Sequence, residues 1–147
     1  MEMKGYQKKV IADLVRYLEL LNETRNYAVA FRFFWQEKSA PSLGAYQDIL
    51  PGVPNLCFKV PTGGGKTFLA CNAIRPLFSA LPVTKTKAVV WLVPSDAILA
   101  QTVRALKDPQ HPYRQKIDVD FGGRVEVYTK QELLNGQNFN PTAVTEQ

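Results

Sequence analysis

Leu56-Cys57-Phe58-Lys59-Val60-Pro61-Thr62-Gly63-Gly64-Gly65-Lys66-Thr67 sets an apolar run, a glycine-rich turn and the start of a helical pattern in succession. Three consecutive glycines let a backbone fold tightly and turn several N–H groups toward one point. Lys66 adds a positive charge there, and Thr67 supplies a hydroxyl that can reach a magnesium ion. This combination suits the phosphates of a nucleoside triphosphate, and the order strand, glycine loop, helix is the context such a site requires. An ordinary glycine-rich turn explains neither Lys66 nor Thr67. The strict form of the pattern has glycine where this chain has Val60.

Working outward, the chain alternates. A helix is expected from about Tyr6 to Arg25, because Tyr6, Val10, Leu14, Leu18 and Leu21 recur at three- and four-residue intervals. Tyr27 to Trp35 is dense in aromatics and leans toward helix, and Ser39 to Pro54 reads as a loop from its prolines and glycines. After the loop a helix starts near Lys66, which Pro76 should kink or stop near Arg75. Ala88-Val89-Val90-Trp91-Leu92-Val93 is a near-continuous apolar run, as for a strand covered on both faces. Ser95 is placed to cap a helix from about Asp96 to Leu106. A turn at 108–112, a short helix around Tyr113–Asp118 and a strand from Arg124 to Tyr128 follow. Thr129-Lys130-Gln131-Glu132 has the spacing of a capping box for a short helix through Leu134, and Asn135 to Gln147 offers little to bury.

Strands alternating with helices predict an α/β fold with a parallel, doubly wound sheet of P-loop NTPase type. Ligands bind beyond the carboxyl ends of such strands, so Gly63–Thr67 and Pro94-Ser95 should share one rim. Two parts are expected: residues 1–54, a helical segment with its loop, and 55–147, the beginning of the nucleotide-binding lobe.

Composition narrows the class of protein. The chain has 147 residues, 46% of them hydrophobic, enough to bury a core and too apolar for general disorder. No apolar run is long enough to cross a bilayer, and the N-terminus shows no signal-peptide pattern, so a cytoplasmic protein is expected. Two cysteines, Cys57 in the expected strand and Cys71 in the next helix, read as buried free thiols. With the lone His111 they cannot complete a zinc site, and His111 reads as a structural turn residue. The net charge of +5 permits contact with nucleic acid without requiring it, since no basic block stands out.

Tyr6-Gln7, the loop Val60–Thr67, Trp91-Leu92-Val93-Pro94-Ser95 and Ile98-Leu99 with Gln101-Thr102 together resemble a superfamily-2 helicase or translocase. Asp108-Pro109-Gln110-His111-Pro112-Tyr113-Arg114-Gln115 and Phe121-Gly122-Gly123-Arg124-Val125 bring the resemblance closest to the Res subunit of type III restriction enzymes. That resemblance implies ATP and Mg2+ as cofactors. Thr62, Gly63, Gly64 and Gly65 would cradle the phosphates, with Lys66 and Thr67 as the catalytic pair. Lys66 would bind the β- and γ-phosphates and Thr67 would hold the metal. Gln7 would read the adenine edge with its amide, and Tyr6 would stack nearby. Pro94, Ser95, Gln101 and Thr102 match the segment that touches the backbone of double-stranded DNA in such motors. A methyltransferase (modification) subunit is the partner implied for the parent enzyme.

The same resemblance calls for a carboxylate pair on a later strand and an arginine finger from a second lobe. No adjacent Asp-Glu pair follows Thr67. The chain therefore reads as an N-terminal piece of a larger ATP-hydrolysing enzyme, inactive in hydrolysis by itself. A small phosphotransferase, such as a nucleoside or metabolite kinase, is the alternative, since it also uses a strand–loop–helix phosphate site. A nucleotide-binding module without hydrolysis is a third reading.

Overall fold

The computed structural model describes residues 2–40, 44–80 and 87–136. They hold six helices: α1 (Gly5–Thr24), α2 (Tyr27–Glu37), α3 (Lys66–Ala80), α4 (Asp96–Lys107), α5 (Pro112–Phe121) and α6 (Lys130–Leu134). The chain divides into two compact units, Glu2–Leu81 and Pro82–Gln147.

The parallel α/β sheet expected from the alternation is not formed. Among the described residues there is no strand, and 54–61, 87–93 and 124–129 run without ladder partners. The reason lies in what an apolar run specifies. β-propensity measures packing against cross-strand and same-face neighbours, and without a paired neighbour it fixes nothing. Val89, Val90 and Leu92 are 52%, 83% and 88% exposed, the opposite of a strand covered on both faces. With the sheet goes the shared rim on which Gly63–Thr67 and Pro94-Ser95 were expected to meet.

The helices follow their local signals. In the first unit α1 packs against both α2 and α3. Its stripe buries Leu14, Tyr17, Leu18 and Leu20, while Ala30 of α2 and Phe68, Leu69, Cys71 and Ile74 of α3 are buried on theirs. Tyr17, Leu20 and Ala30 form one cluster, with Leu21, Phe31, Phe34 and Leu56 packed against it. Burying a leucine such as Leu20, 3% exposed, contributes about 1.5–3 kcal/mol. The break between α1 and α2 is a tight one. Arg25 takes the left-handed conformation at φ 52° and donates its N–H to Leu21 O at 2.8 Å. Asn26 then caps α2, its side chain accepting from Val29 N at 3.0 Å.

Two sequence expectations change here. Of the kink or stop expected at Pro76, the stop does not occur: α3 runs through Pro76 to Ala80, because a proline removes one N–H and leaves the neighbouring turns bonded. Cys71 is buried as expected, and burial pushes its thiol up to about 11. Cys57 is exposed, since the segment that was to bury it has no sheet around it.

In the second unit α4 packs on α5, with Thr102, Ala105, Leu106 and Ile117 buried. Arg114 fastens this unit: it pairs with Asp118 at 2.8 Å and donates to Leu106 O at 3.2 Å and Val125 O at 2.8 Å. His111 is the N-cap of α5, its Nδ1 accepting from Tyr113 N at 3.2 Å, with Pro112 at the first helical position. The expected box at the start of α6 is present. Thr129 N donates to Glu132 Oε2 at 2.6 Å, and Glu132 N donates to Thr129 Oγ1 at 3.2 Å. Of the polar tail expected over 135–147, residues 137–147 lie outside the described residues.

Candidate phosphate-binding loop

Val60-Pro61-Thr62-Gly63-Gly64-Gly65 reverses the chain direction just before α3, and its geometry explains each glycine that matters. Gly63 and Gly65 sit at φ 75° and 68°, in the left-handed region that costs other residues about 1–2 kcal/mol. Gly64 is required by crowding instead. A Cβ there would stand 2.7 Å from Val60 Cγ1 and 2.8 Å from Pro61 O. Val60, where the strict pattern has glycine, thus fills the space that the missing side chain of Gly64 leaves open. A Cβ on Gly65 would meet Gln7 Nε2 at 2.7 Å. The turn closes on the Pro61 carbonyl, which accepts from Gly64 N at 3.0 Å and from Lys66 Nζ at 3.1 Å.

The N-terminus of α1 holds the loop from the other side. Gln7 is only 2% exposed. Its Nε2 donates to Gly64 O at 2.9 Å, and its Oε1 accepts from Lys4 N at 2.9 Å. The second bond is the glutamine half of a capping box, satisfying one backbone donor ahead of the helix. Tyr6 OH donates to the same Gly64 O at 2.6 Å. The structure thus brings Tyr6, Gln7, Gly63, Gly64, Gly65, Lys66 and Thr67 into one neighbourhood, with Thr62 exposed in the turn beside them. Sequence reasoning had placed Tyr6 as a stacking ring; its bond to a carbonyl 58 residues away carries no local signal.

What the loop offers is a set of donors. Among the described residues, no hydrogen bond engages the N–H groups of Gly63, Gly65 or Lys66. The first turn of any α-helix leaves its N–H groups unpaired, and the helix dipole adds partial positive charge there. Lys66 is exposed and is the first residue of α3, whose opening turn holds no acidic residue to compete for an anion. Thr67 is half-buried at the next position. No cluster of three or more His, Cys, Asp or Glu side chains suited to a metal exists among the described residues. A magnesium ion at this loop would draw on the Thr67 hydroxyl, on phosphate oxygens and on water, without the carboxylate that usually joins them beside a triphosphate. The donors, the lysine and the open glycine face fit ATP with magnesium.

The residues expected to touch DNA lie in the other unit. Ser95 caps α4, its Oγ accepting from Ile98 N at 3.4 Å, and is exposed. Pro94 and Gln101 are exposed, whereas Thr102 is buried at 8%. The polar groups available on this helix start are thus those of Ser95 and Gln101, and Thr102 faces the interior of its unit.

A glycine turn that opens a helix, with a lysine and a threonine at the helix's first two positions, is an arrangement that can receive an anion. The comparison with protein families is specific. The family described as type III restriction enzyme, res subunit, matches residues 1–145. The chain belongs to that family, whose function is ATP-dependent and helicase-like. The match lends nothing to the phosphotransferase alternative. No curated protein and no solved structure gives a significant match. No helix among the described residues is long and apolar enough to cross a membrane.

Proposed function

We propose that this chain binds the triphosphate of ATP with magnesium on the loop Thr62–Thr67, as the nucleotide-binding part of a DNA translocase of the type III restriction kind. The observation that carries the reading is the loop itself: N–H groups of Gly63, Gly65 and Lys66 without a partner among the described residues, at the start of a helix and beside the Lys66 ammonium. In this reading Lys66 neutralises the terminal phosphates and Thr67 holds the metal. The adenine contact expected of Gln7 requires its amide, 2% exposed and bonded to Gly64 O and Lys4 N, to come free of the loop.

Binding, rather than turnover, is what these residues support. Hydrolysis requires groups that orient water and stabilise the transferring phosphoryl, and no adjacent carboxylate pair follows Thr67. Ser95 and Gln101 supply backbone-type contacts to double-stranded DNA, without sequence reading. Association with a methyltransferase subunit belongs to the same proposal and rests on the family alone.

The test uses a fluorescent ATP analogue displaced by unlabelled ATP, with and without magnesium. The parent chain should bind more tightly with the metal. Thr67→Ala should bind about equally with and without it. Undiminished magnesium dependence in that variant would remove Thr67 from the site.

A further inference from the structure

Gly64 O is the most heavily used acceptor between the loop and α1. It takes a 2.6 Å bond from Tyr6 OH and a 2.9 Å bond from Gln7 Nε2, two donors from adjacent residues converging on one carbonyl. The Gly64–Gly65 peptide has no side chain on either flank to restrict its rotation, and flanking glycines are where a peptide plane turns most freely. The described residues contain no cis peptide bond, so the C=O of Gly64 and the N–H of Gly65 point in opposite directions across one plane. Fixing the carbonyl toward α1 therefore fixes the Gly65 N–H away from α1. That N–H is one of those with no partner among the described residues.

We propose that Tyr6 is a positioning residue for the triphosphate: its hydroxyl, with the Gln7 amide, locks the Gly64–Gly65 peptide so that the Gly65 N–H is presented to phosphate. The inference rests on the nucleotide reading above and adds to it a role that touches neither base nor ribose. Without the lock the peptide turns over between two orientations, one of which aims a carbonyl oxygen at the anion. Gln7 is buried and doubly bonded, so its replacement disturbs the α1 cap as well as the loop. Tyr6 is 40% exposed, and Tyr6→Phe removes the hydroxyl while keeping the ring. It is the cleaner variant.

The distinguishing probe is magnesium tripolyphosphate, which has the phosphates of ATP and no adenine. Calorimetry on the whole chain should show Tyr6→Phe binding ATP and tripolyphosphate about fivefold more weakly than the parent, by the same factor for both, as for one hydrogen bond lost from the binding geometry. Its thermal midpoint should stay close to the parent's. In the ligand-free protein, NMR should show the Gly64 carbonyl-carbon shift move upfield in Tyr6→Phe and the Gly65 amide resonance broaden or move. Loss of ATP affinity with tripolyphosphate affinity retained would overturn the proposal, since Tyr6 would then serve the base. Unchanged affinity for both ligands, while Lys66→Ala binds both more weakly, would overturn it equally. If Lys66→Ala binds both as tightly as the parent, the nucleotide reading fails, and an unmoved Gly64 carbonyl shift would then overturn the lock as well.

Discussion

Replacing Gly65 by alanine tests the loop geometry with a single methyl group. At φ 68° the backbone lies in the left-handed region, which costs a residue with a Cβ about 1–2 kcal/mol. The new methyl also stands 2.7 Å from Gln7 Nε2, too close for both to remain. Gln7 is the flexible partner, so its amide gives way and its 2.9 Å bond to Gly64 O is lost. At a site 2% exposed, a bond lost without replacement by water costs about 1–3 kcal/mol. Together the two effects come to about 2–5 kcal/mol, a large share of the ~5–15 kcal/mol that holds a domain folded. Urea unfolding of the parent, Gly65→Ala, Gln7→Ala and the double variant separates them. The steric conflict exists only when both side chains are present, so the double variant should be less destabilised than the sum of the singles by the lost bond, about 1–3 kcal/mol. The φ cost remains in every variant carrying the alanine. A Gly65→Ala chain within about 0.5 kcal/mol of the parent would refute the conformation assigned to this loop. Strict additivity would refute the close approach of Gln7.

Three further outcomes follow from other parts of the chain. The Lys107 ammonium, and behind it the Thr129 backbone and hydroxyl, hold the Glu132 carboxyl down to about 2 from an ordinary 4.5. Its contribution to the folded state is therefore full above pH 4.5 and lost as pH falls toward 2; an NMR titration in which Glu132 titrates at its ordinary value would contradict the link. Native protein should react with a thiol reagent rapidly at Cys57 alone, and at Cys71 only on unfolding, because Cys71 is buried with its thiol pushed up to about 11; rapid reaction of both thiols would show that Cys71 does not lie on the buried face of α3. DNA binding, read by fluorescence anisotropy at two salt concentrations, should be no tighter than the ~10⁻⁴–10⁻⁶ M of non-specific contact and should fall steeply with salt. Ser95→Ala combined with Gln101→Ala should weaken it equally for unrelated duplexes, and a sequence-selective, salt-insensitive complex would contradict the assignment.

Local chemistry in this chain was legible, and pairing between distant segments was not. α1 announces itself through Leu14, Leu18 and Leu21, and the ends of α4 and α6 through the caps Ser95 and Thr129, because these signals act within one or two turns. The run 88–93 carries no such self-contained signal. Its valines and leucine state that the segment favours cover, and whether a neighbouring strand supplies it depends on residues far away. Val90 and Leu92 stand largely exposed as a result, and the sheet inferred from them is absent among the described residues. The loop behaved in the same divided way. Gly63–Thr67 was readable as a donor-rich turn, since such a turn depends on consecutive residues. The two bonds from Tyr6 and Gln7 to Gly64 O span 58 and 57 residues, and no spacing rule could reveal them. Pro76 shows the limit of a local rule: one missing N–H in a helix packed against α1 was not enough to end it.

The central claim, that Thr62–Thr67 is a triphosphate site, is tested most directly by calorimetry of magnesium–ATP binding to the parent chain and to Lys66→Ala. Among the described residues the Lys66 side chain bonds only Pro61 O, and it is exposed, so its removal should leave folding intact. A charge-assisted bond to phosphate is worth about 1.5–3 kcal/mol, which converts to an affinity loss of about ten- to a hundredfold. Measurable binding by the parent and a loss of that size in Lys66→Ala is the predicted result. Equal affinity in the two proteins, or no binding by the parent, would contradict it.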